Sequence, residues 1–312
     1  MDKIKNVKCI REESNYIGLG YDDFISHIKV QLKNYYRDEV DVELRHVRKN
    51  NGIILDGVSL RSRESNLAPT IYLNEYYERY RGGMSVNEIL RCIIDVYERN
   101  RVEDDFDTES YTDFSRARER LAFRLINYEK NERLLREVPH RRFLDMAIVY
   151  YCVIRESSFG NATILVRNEH LNLWGRTEED LYRASLDNSP RLLEPSLKTM
   201  ARVIDDMPGA PKAHGMGEDM YVISNRLSLH GAASILYPGV LEELSDRMGG
   251  DFILIPSSVH EMIAVPMREE CSPDWFGDMI SSVNATSLQE EEILSDSPYL
   301  YDSWKNELGL YC

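Results

Sequence analysis

The clearest alternation of apolar and polar positions lies between Tyr221 and Pro266. Tyr221-Val222-Ile223 is a short apolar run with a β-branched centre, which suits a buried strand, and Asn225 closes it. From His230 to Met248 the apolar residues Ala233, Leu236, Val240, Leu241, Leu244 and Met248 return at helical spacing. Pro238 interrupts them, because proline lacks a backbone donor and fits the first turn of a helix. The pattern predicts one helical turn before Tyr237, then a helix from Pro238 to Met248. Gly249-Gly250 should stop that helix, since glycine readily takes the left-handed conformation. Phe252 to Ile255 predicts a fully buried strand, Pro256-Ser257-Ser258 a turn, and Met262 to Val265 the returning strand of an antiparallel hairpin.

The same reasoning organises the rest of the chain. Residues 21–36 predict an amphipathic helix with Phe24, Ile25, Ile28 and Leu32 on one face. Val40, Val42 and Leu44 alternate with polar residues, Asn51-Gly52 is a strong turn signal, and Ile53 to Leu60 returns. Ala68 to Leu73 predicts a third strand. Ser85 and Glu88 form a capping box that opens a helix with Ile89, Leu90, Ile93 and Tyr97 on its buried stripe. Residues 21–105 therefore predict an α-β-β-β-α unit, and the acidic stretch Arg101–Thr112 a linker. A larger unit follows over residues 113–268. It includes strands at Leu121–Ile126, at the long apolar run Phe143–Ile154, and at Thr163–Val166. Tyr128–Val138 predicts a helix, and Thr177 caps another that reaches about Ser189. Asp206–Gly217, with two prolines and three glycines, predicts an irregular loop. Strands arrive in hairpins and helices do not alternate with them, so the expected class is α+β, mostly antiparallel sheet with packed helices, in two units.

Five stretches resemble a bacterial family of unknown function, DUF5688. They are Pro69–Asn74, Leu125–Asn131, Tyr237–Leu241, Gly249–Phe252 and Ile255–Glu261. The resemblance spans about residues 20 to 285. More distantly, Ile164 to Pro190 is similar to the YtpQ-like proteins, in which a strand is also followed by Trp-Gly, here Trp174-Gly175, and an acidic helix. Neither resemblance implies an activity, a ligand or a set of site residues.

Charge narrows the functional classes. A net charge of −15 opposes nucleic-acid backbones and anionic membrane surfaces, so neither is an expected partner. The densest basic run, Arg116, Arg118, Arg120 and Arg124, is diluted by Glu119 and Glu129 and reads as a solvated face rather than an anion site. The segment 269–312 holds ten Asp or Glu against one Lys, yet also Trp275, Tyr299, Tyr301, Trp304 and Tyr311. Those aromatics predict that part of it packs on the body. The five widely spaced cysteines form neither a disulfide framework nor a zinc ribbon. With an N-terminus that carries no apolar leader, they predict a cytoplasmic, reduced protein.

Candidate chemistry is sparse. His260-Glu261 lacks the second histidine of a zincin, since Ala264 stands there, and no metal or cofactor is expected. Ser257 or Ser258 with His260 has no nucleophile-elbow glycines around it. Gly215-Met216-Gly217 precedes a strand, the wrong order for a dinucleotide fingerprint, and there is no Walker loop. His140, Arg142 and Asp145 could gather an anion at a strand entrance, and His170 with Trp174 could line a pocket. These residues, with Ser258 and His260, are the candidate ligand-binding set. No catalytic residue is assigned. The expected function is a non-catalytic binding or protein-interaction protein, with a protein partner. The alternative is an enzyme or small-ligand sensor with a pocket between the two units.

Overall fold

In a computed structural model, residues 18–63, 68–100, 109–157, 160–209, 211–213, 215–268 and 272–312 are described. The fold is α+β, and every strand pairing among the described residues is antiparallel. The chain divides into two compact units, residues 1–49 with 54–108, and residues 50–53 with 109–312. Most of the predicted linker and of the N-terminal extension lies outside the described residues. No helix among the described residues is long and apolar enough to cross a membrane.

In the first unit, β1 (Val40–Arg48), β2 (Ile54–Ser62) and β3 (Thr70–Tyr72) form a sheet in that order. The helix Tyr21–Tyr36 lays Phe24, Ile28 and Leu32 against Val40, Val42, Val58 and Leu60. Each such buried side chain contributes about 1.5–3 kcal/mol. The capping box forms as its residues predict: the Ser85 amide donates to Glu88 Oε2 at 2.9 Å, and the Glu88 amide to Ser85 Oγ at 3.3 Å. It opens the helix Val86–Asn100, whose Ile89, Leu90, Ile93 and Tyr97 complete this core. The helix Asn74–Arg81 has no fully buried residue and no apolar stripe, so its pattern gave no signal.

The second unit holds two sheets. In the first, β6 (Met146–Ser157) is shared by β4 (Leu121–Asn127), β5 (His140–Phe143) and β7 (Gly160–Leu165). The apolar run at Phe143–Ile154 is not one strand. It breaks at Leu144, which adopts a left-handed φ of 55°, and turns β5 back onto β6. The Tyr128–Val138 segment is a 3-10 turn followed by one α-turn, Glu132–Leu135, not a continuous helix. The second sheet comprises β8 (Pro195–Thr199), β9 (Tyr221–Asn225), β10 (Phe252–Ser258), β11 (Glu261–Pro266), β12 (Tyr299–Asp302) and β13 (Glu307–Leu310). Their spatial order is β13-β12-β10-β11-β9-β8. One core runs between the sheets, with Phe123, Ile148 and Tyr150 from the first and Ile223, Phe252, Leu254 and Met262 from the second. Helix Pro273–Ser287 covers Ile253 and Ile255 with Phe276 and Ile280. Part of the acidic C-terminal segment thus joins the body: Tyr299 and Tyr301 are buried on β12, while Trp275 is exposed and Trp304 is 90% exposed.

The Tyr221–Pro266 pattern folds largely as its residues dictate. A 3-10 turn spans Gly231–Leu236, a helix spans Val240–Met248, and Gly249 caps it at φ 82°. One expectation is corrected: Pro256-Ser257-Ser258 is not the turn. β10 continues through it with a register shift between Pro256 and Ser258, and Val259-His260 make the turn. An irregularity of the ladder is where a strand tolerates proline's missing donor.

Candidate functional site

The strand β4 is buried on both faces. Leu121, Phe123 and Leu125 enter the main core, while Ala122, Arg124 and Ile126 alternate to the other side. Arg124 lies opposite Val149 of β6, and Ala122 opposite Tyr151, so Arg124 and Tyr151 are diagonal neighbours on one face. Tyr151 is only 1% exposed. The expectation of a solvated basic face holds for Arg116, Arg118 and Arg120, which are exposed, and fails for Arg124. The first three sit on short helical turns, whereas the fourth is carried into the protein by its strand.

A loop after β9 brings the second half of the site. The Asn225 side chain accepts from the amides of Leu227 and Leu229, both at 3.1 Å, and donates to the Leu229 carbonyl at 2.8 Å. This turns the chain back so that His230, at a left-handed φ of 52°, starts the 3-10 turn. Gly231 is packed too closely for a side chain: a Cβ there would lie 2.5 Å from the His260 carbonyl oxygen and 2.3 Å from Ser224 Oγ. That contact seats the His230 ring against His260, with centroids 5.7 Å apart and planes 10° from parallel. The His230 amide donates to His260 Nδ1 at 3.2 Å, and Ser224 Oγ donates to the His260 carbonyl at 2.8 Å.

The two halves meet in one hydrogen bond. Arg124 Nη1 donates to His230 Nε2 at 3.1 Å. A guanidinium only donates, so Nε2 is the acceptor and the His230 proton sits on Nδ1. Burial, then the charge of Arg124 and the neighbouring His260, hold the His230 pKa well below its ordinary value. The imidazole is therefore neutral. Tyr151 stands edge-on to it, with centroids 5.4 Å apart. Burial raises the Tyr151 pKa, which keeps the hydroxyl protonated.

Three shielded polar atoms here have no hydrogen-bond partner: Arg124 Nε, His230 Nδ1 and Tyr151 Oη. Two of them can only donate, and the third carries a hydroxyl proton. Each unpaired buried group costs about 1–3 kcal/mol. The cluster is rich in donors and carries the arginine's positive charge, and its one acceptor among the described residues, His230 Nε2, is already taken by Arg124 Nη1. Chemically it can hold a small anion. Among the described residues no serine or cysteine donates to either imidazole ring.

The candidates read from the sequence fall in four places. Ser258 and His260 come together, but as a turn: the His260 amide donates to Ser258 Oγ at 3.0 Å. His260 reaches the new cluster through His230. His140 and Arg142 flank the Tyr128 ring, with the Arg142 guanidinium 4.6 Å above it and His140 Nδ1 3.1 Å from the Val138 carbonyl. Asp145 is committed elsewhere, accepting from Ser295 Oγ at 2.6 Å and Tyr299 Oη at 2.7 Å. His170 accepts from the Arg167 amide at 2.9 Å and stands 2.9 Å from Tyr111 Oη, and Trp174 donates its indole proton to the Tyr111 carbonyl at 3.1 Å. Burial lowers the His170 pKa. Among the described residues no three His, Cys, Asp or Glu side chains could hold a metal ion.

Arg124, Tyr151 and His230 escaped the sequence reading. A signal existed for the first: a lone arginine inside Leu121-Ala122-Phe123-Arg124-Leu125-Ile126, a run that otherwise reads as a strand buried on both faces. No curated protein and no solved structure matches the chain. The pattern of the family of unknown function DUF5688 matches residues 21–303, nearly the whole chain, and the protein belongs to that family.

Proposed function

We propose that the protein is a non-catalytic binding protein whose second unit takes up a small anion at Arg124, Tyr151 and His230. The supporting observation is the unpaired set of shielded donors around an arginine that no carboxylate neutralises among the described residues. Native polar clusters are nearly always satisfied, and departures concentrate where a ligand completes the bonding. The neutral His230 imidazole orients the guanidinium without adding charge, and the His260 ring stacks behind it. Calorimetric titration of the full-length protein with acetate, benzoate and inorganic phosphate tests the reading. Saturable binding of at least one, lost in Arg124→Gln, is expected. Failure of all three to bind would leave the cluster to water and end the proposal.

Cytoplasmic residence is part of the same proposal, supported by the free Cys92, Cys152 and Cys312. A protein partner at the acidic C-terminal segment is a second reading. Its support is Trp304, which stands in the turn joining β12 to β13 and is 90% exposed. Deleting residues 269–312 would remove β12 from its place beside β10, so the cleaner test is Trp304→Ala. A partner that co-purifies equally with this variant would count against that reading.

A further inference from the structure

Resting on the anion reading above, we infer that the anion is a carboxylate, taken side-on by Nε–H and Nη2–H of Arg124 with the Tyr151 hydroxyl as third donor. The first argument is the geometry of the guanidinium. Nη1 is engaged by His230 Nε2 at 3.1 Å. The edge that remains is Nε with Nη2, whose parallel N–H bonds match the two oxygens of a carboxylate. Nε is shielded and unpartnered, and Nη2 makes no hydrogen bond among the described residues.

The second argument comes from the other face of the same sheet, where the chain solves this problem internally. Tyr150, the neighbour of Tyr151, points to that face and is 0% exposed. Its hydroxyl donates to Glu178 Oε1. Arg141 of β5 donates to Glu178 Oε2 at 2.9 Å and Glu179 Oε2 at 2.5 Å. An arginine and a buried tyrosine thus share one glutamate carboxylate. On the Arg124 face the same pair of residue types is present, and no carboxylate of the chain joins it among the described residues.

The third argument is charge. Arg124 supplies one positive charge and His230 is held neutral. A carboxylate monoanion balances that charge, whereas a phosphate dianion would leave an excess negative charge against shielded atoms.

The test follows the Arg124 Nε–Hε resonance of the full-length protein by NMR during titration with acetate, benzoate and inorganic phosphate. Both carboxylates should saturate and shift that resonance. Arg124→Lys keeps the charge and loses the fork, and should weaken them roughly tenfold or more. Tyr151→Phe should weaken them about fivefold while the unfolding midpoint does not fall. Saturable phosphate binding with neither carboxylate bound would overturn the inference and leave the anion reading standing. No saturation by any of the three overturns both. Unchanged carboxylate affinity in Arg124→Lys would overturn the side-on fork. One tripeptide, tested as free acid and as amide, identifies the carrier. An acid that binds more tightly than acetate, with an amide that does not bind, assigns the carboxylate to a polypeptide end. Equal affinities of tripeptide acid and acetate assign it to a free small acid.

Discussion

On each face of the four-stranded sheet an arginine stands beside a buried tyrosine, Arg141 with Tyr150 and Arg124 with Tyr151, and the two faces treat them differently. On one face Arg141 and Tyr150 converge on Glu178, with Glu179 and the Tyr182 ring, 3.9 Å from the guanidinium, completing the shell. There the Tyr150 hydroxyl and Arg141 Nη2 both meet carboxylate acceptors from the chain. On the other face, among the described residues, Arg124 meets only a neutral imidazole and Tyr151 meets no acceptor. The first arrangement holds helix Glu178–Leu192 against the sheet. The second contributes nothing comparable to the fold and carries the cost of unpaired groups. The same residue types act as architecture where the acceptor is built in, and form the proposed anion site where it is left out.

Replacing the built-in acceptor should give the largest effect. Glu178→Ala leaves the Tyr150 hydroxyl and the Arg141 fork without their shared partner, and should cost about 3 kcal/mol in urea unfolding. A cost near zero would mean the satisfied face is not structural. Next comes the pair of adjacent tyrosines. Tyr150→Phe removes a hydrogen bond to a charged acceptor and should cost about 1.5–2 kcal/mol. Tyr151→Phe removes a buried hydroxyl without a partner and should raise stability by about 1 kcal/mol. Equal costs for the two variants would erase the distinction between the faces.

The smallest expected effect is a slope with pH. The folded His230 has a pKa well below its ordinary value, from burial first and then from Arg124 and His260. The unfolded chain, with an imidazole near the usual value of about 6.5, therefore binds the proton more readily. Stability is full above about pH 6.5 and is lost as the pH falls toward the folded pKa. His170 shifts in the same direction, also through burial. The unfolding midpoint should drop between about pH 7.5 and about pH 5.5, and His230→Asn should flatten that drop. A midpoint that rises on acidification would contradict a neutral buried His230.

Local signals in the sequence were enough for most elements. Apolar spacing placed the helix Tyr21–Tyr36, and the Ser85–Glu88 and Thr177–Asp180 capping boxes form with those residues. The hairpin of β10 and β11 follows from alternation and β-branched content. Signals failed where the decisive feature was short or strained. Leu144 takes a left-handed turn that no glycine or asparagine announces, so two strands read as one. Pro256 reads as a turn breaker, yet the ladder absorbs it at an irregularity.

The sequence by itself determined the class of fold, the hydrophobic cores and the family, because periodicity, caps and turn residues act over a few positions. It also contained the anomaly of Arg124 without saying what meets it. Only the tertiary structure decided that, because the partners come from β6 and from the loop after β9, and whether a donor is satisfied depends on groups that are distant in sequence. Arg141 and Arg124 look alike in composition. The difference between the strut and the proposed anion site is Glu178, which folding delivers to one face of the sheet and not to the other.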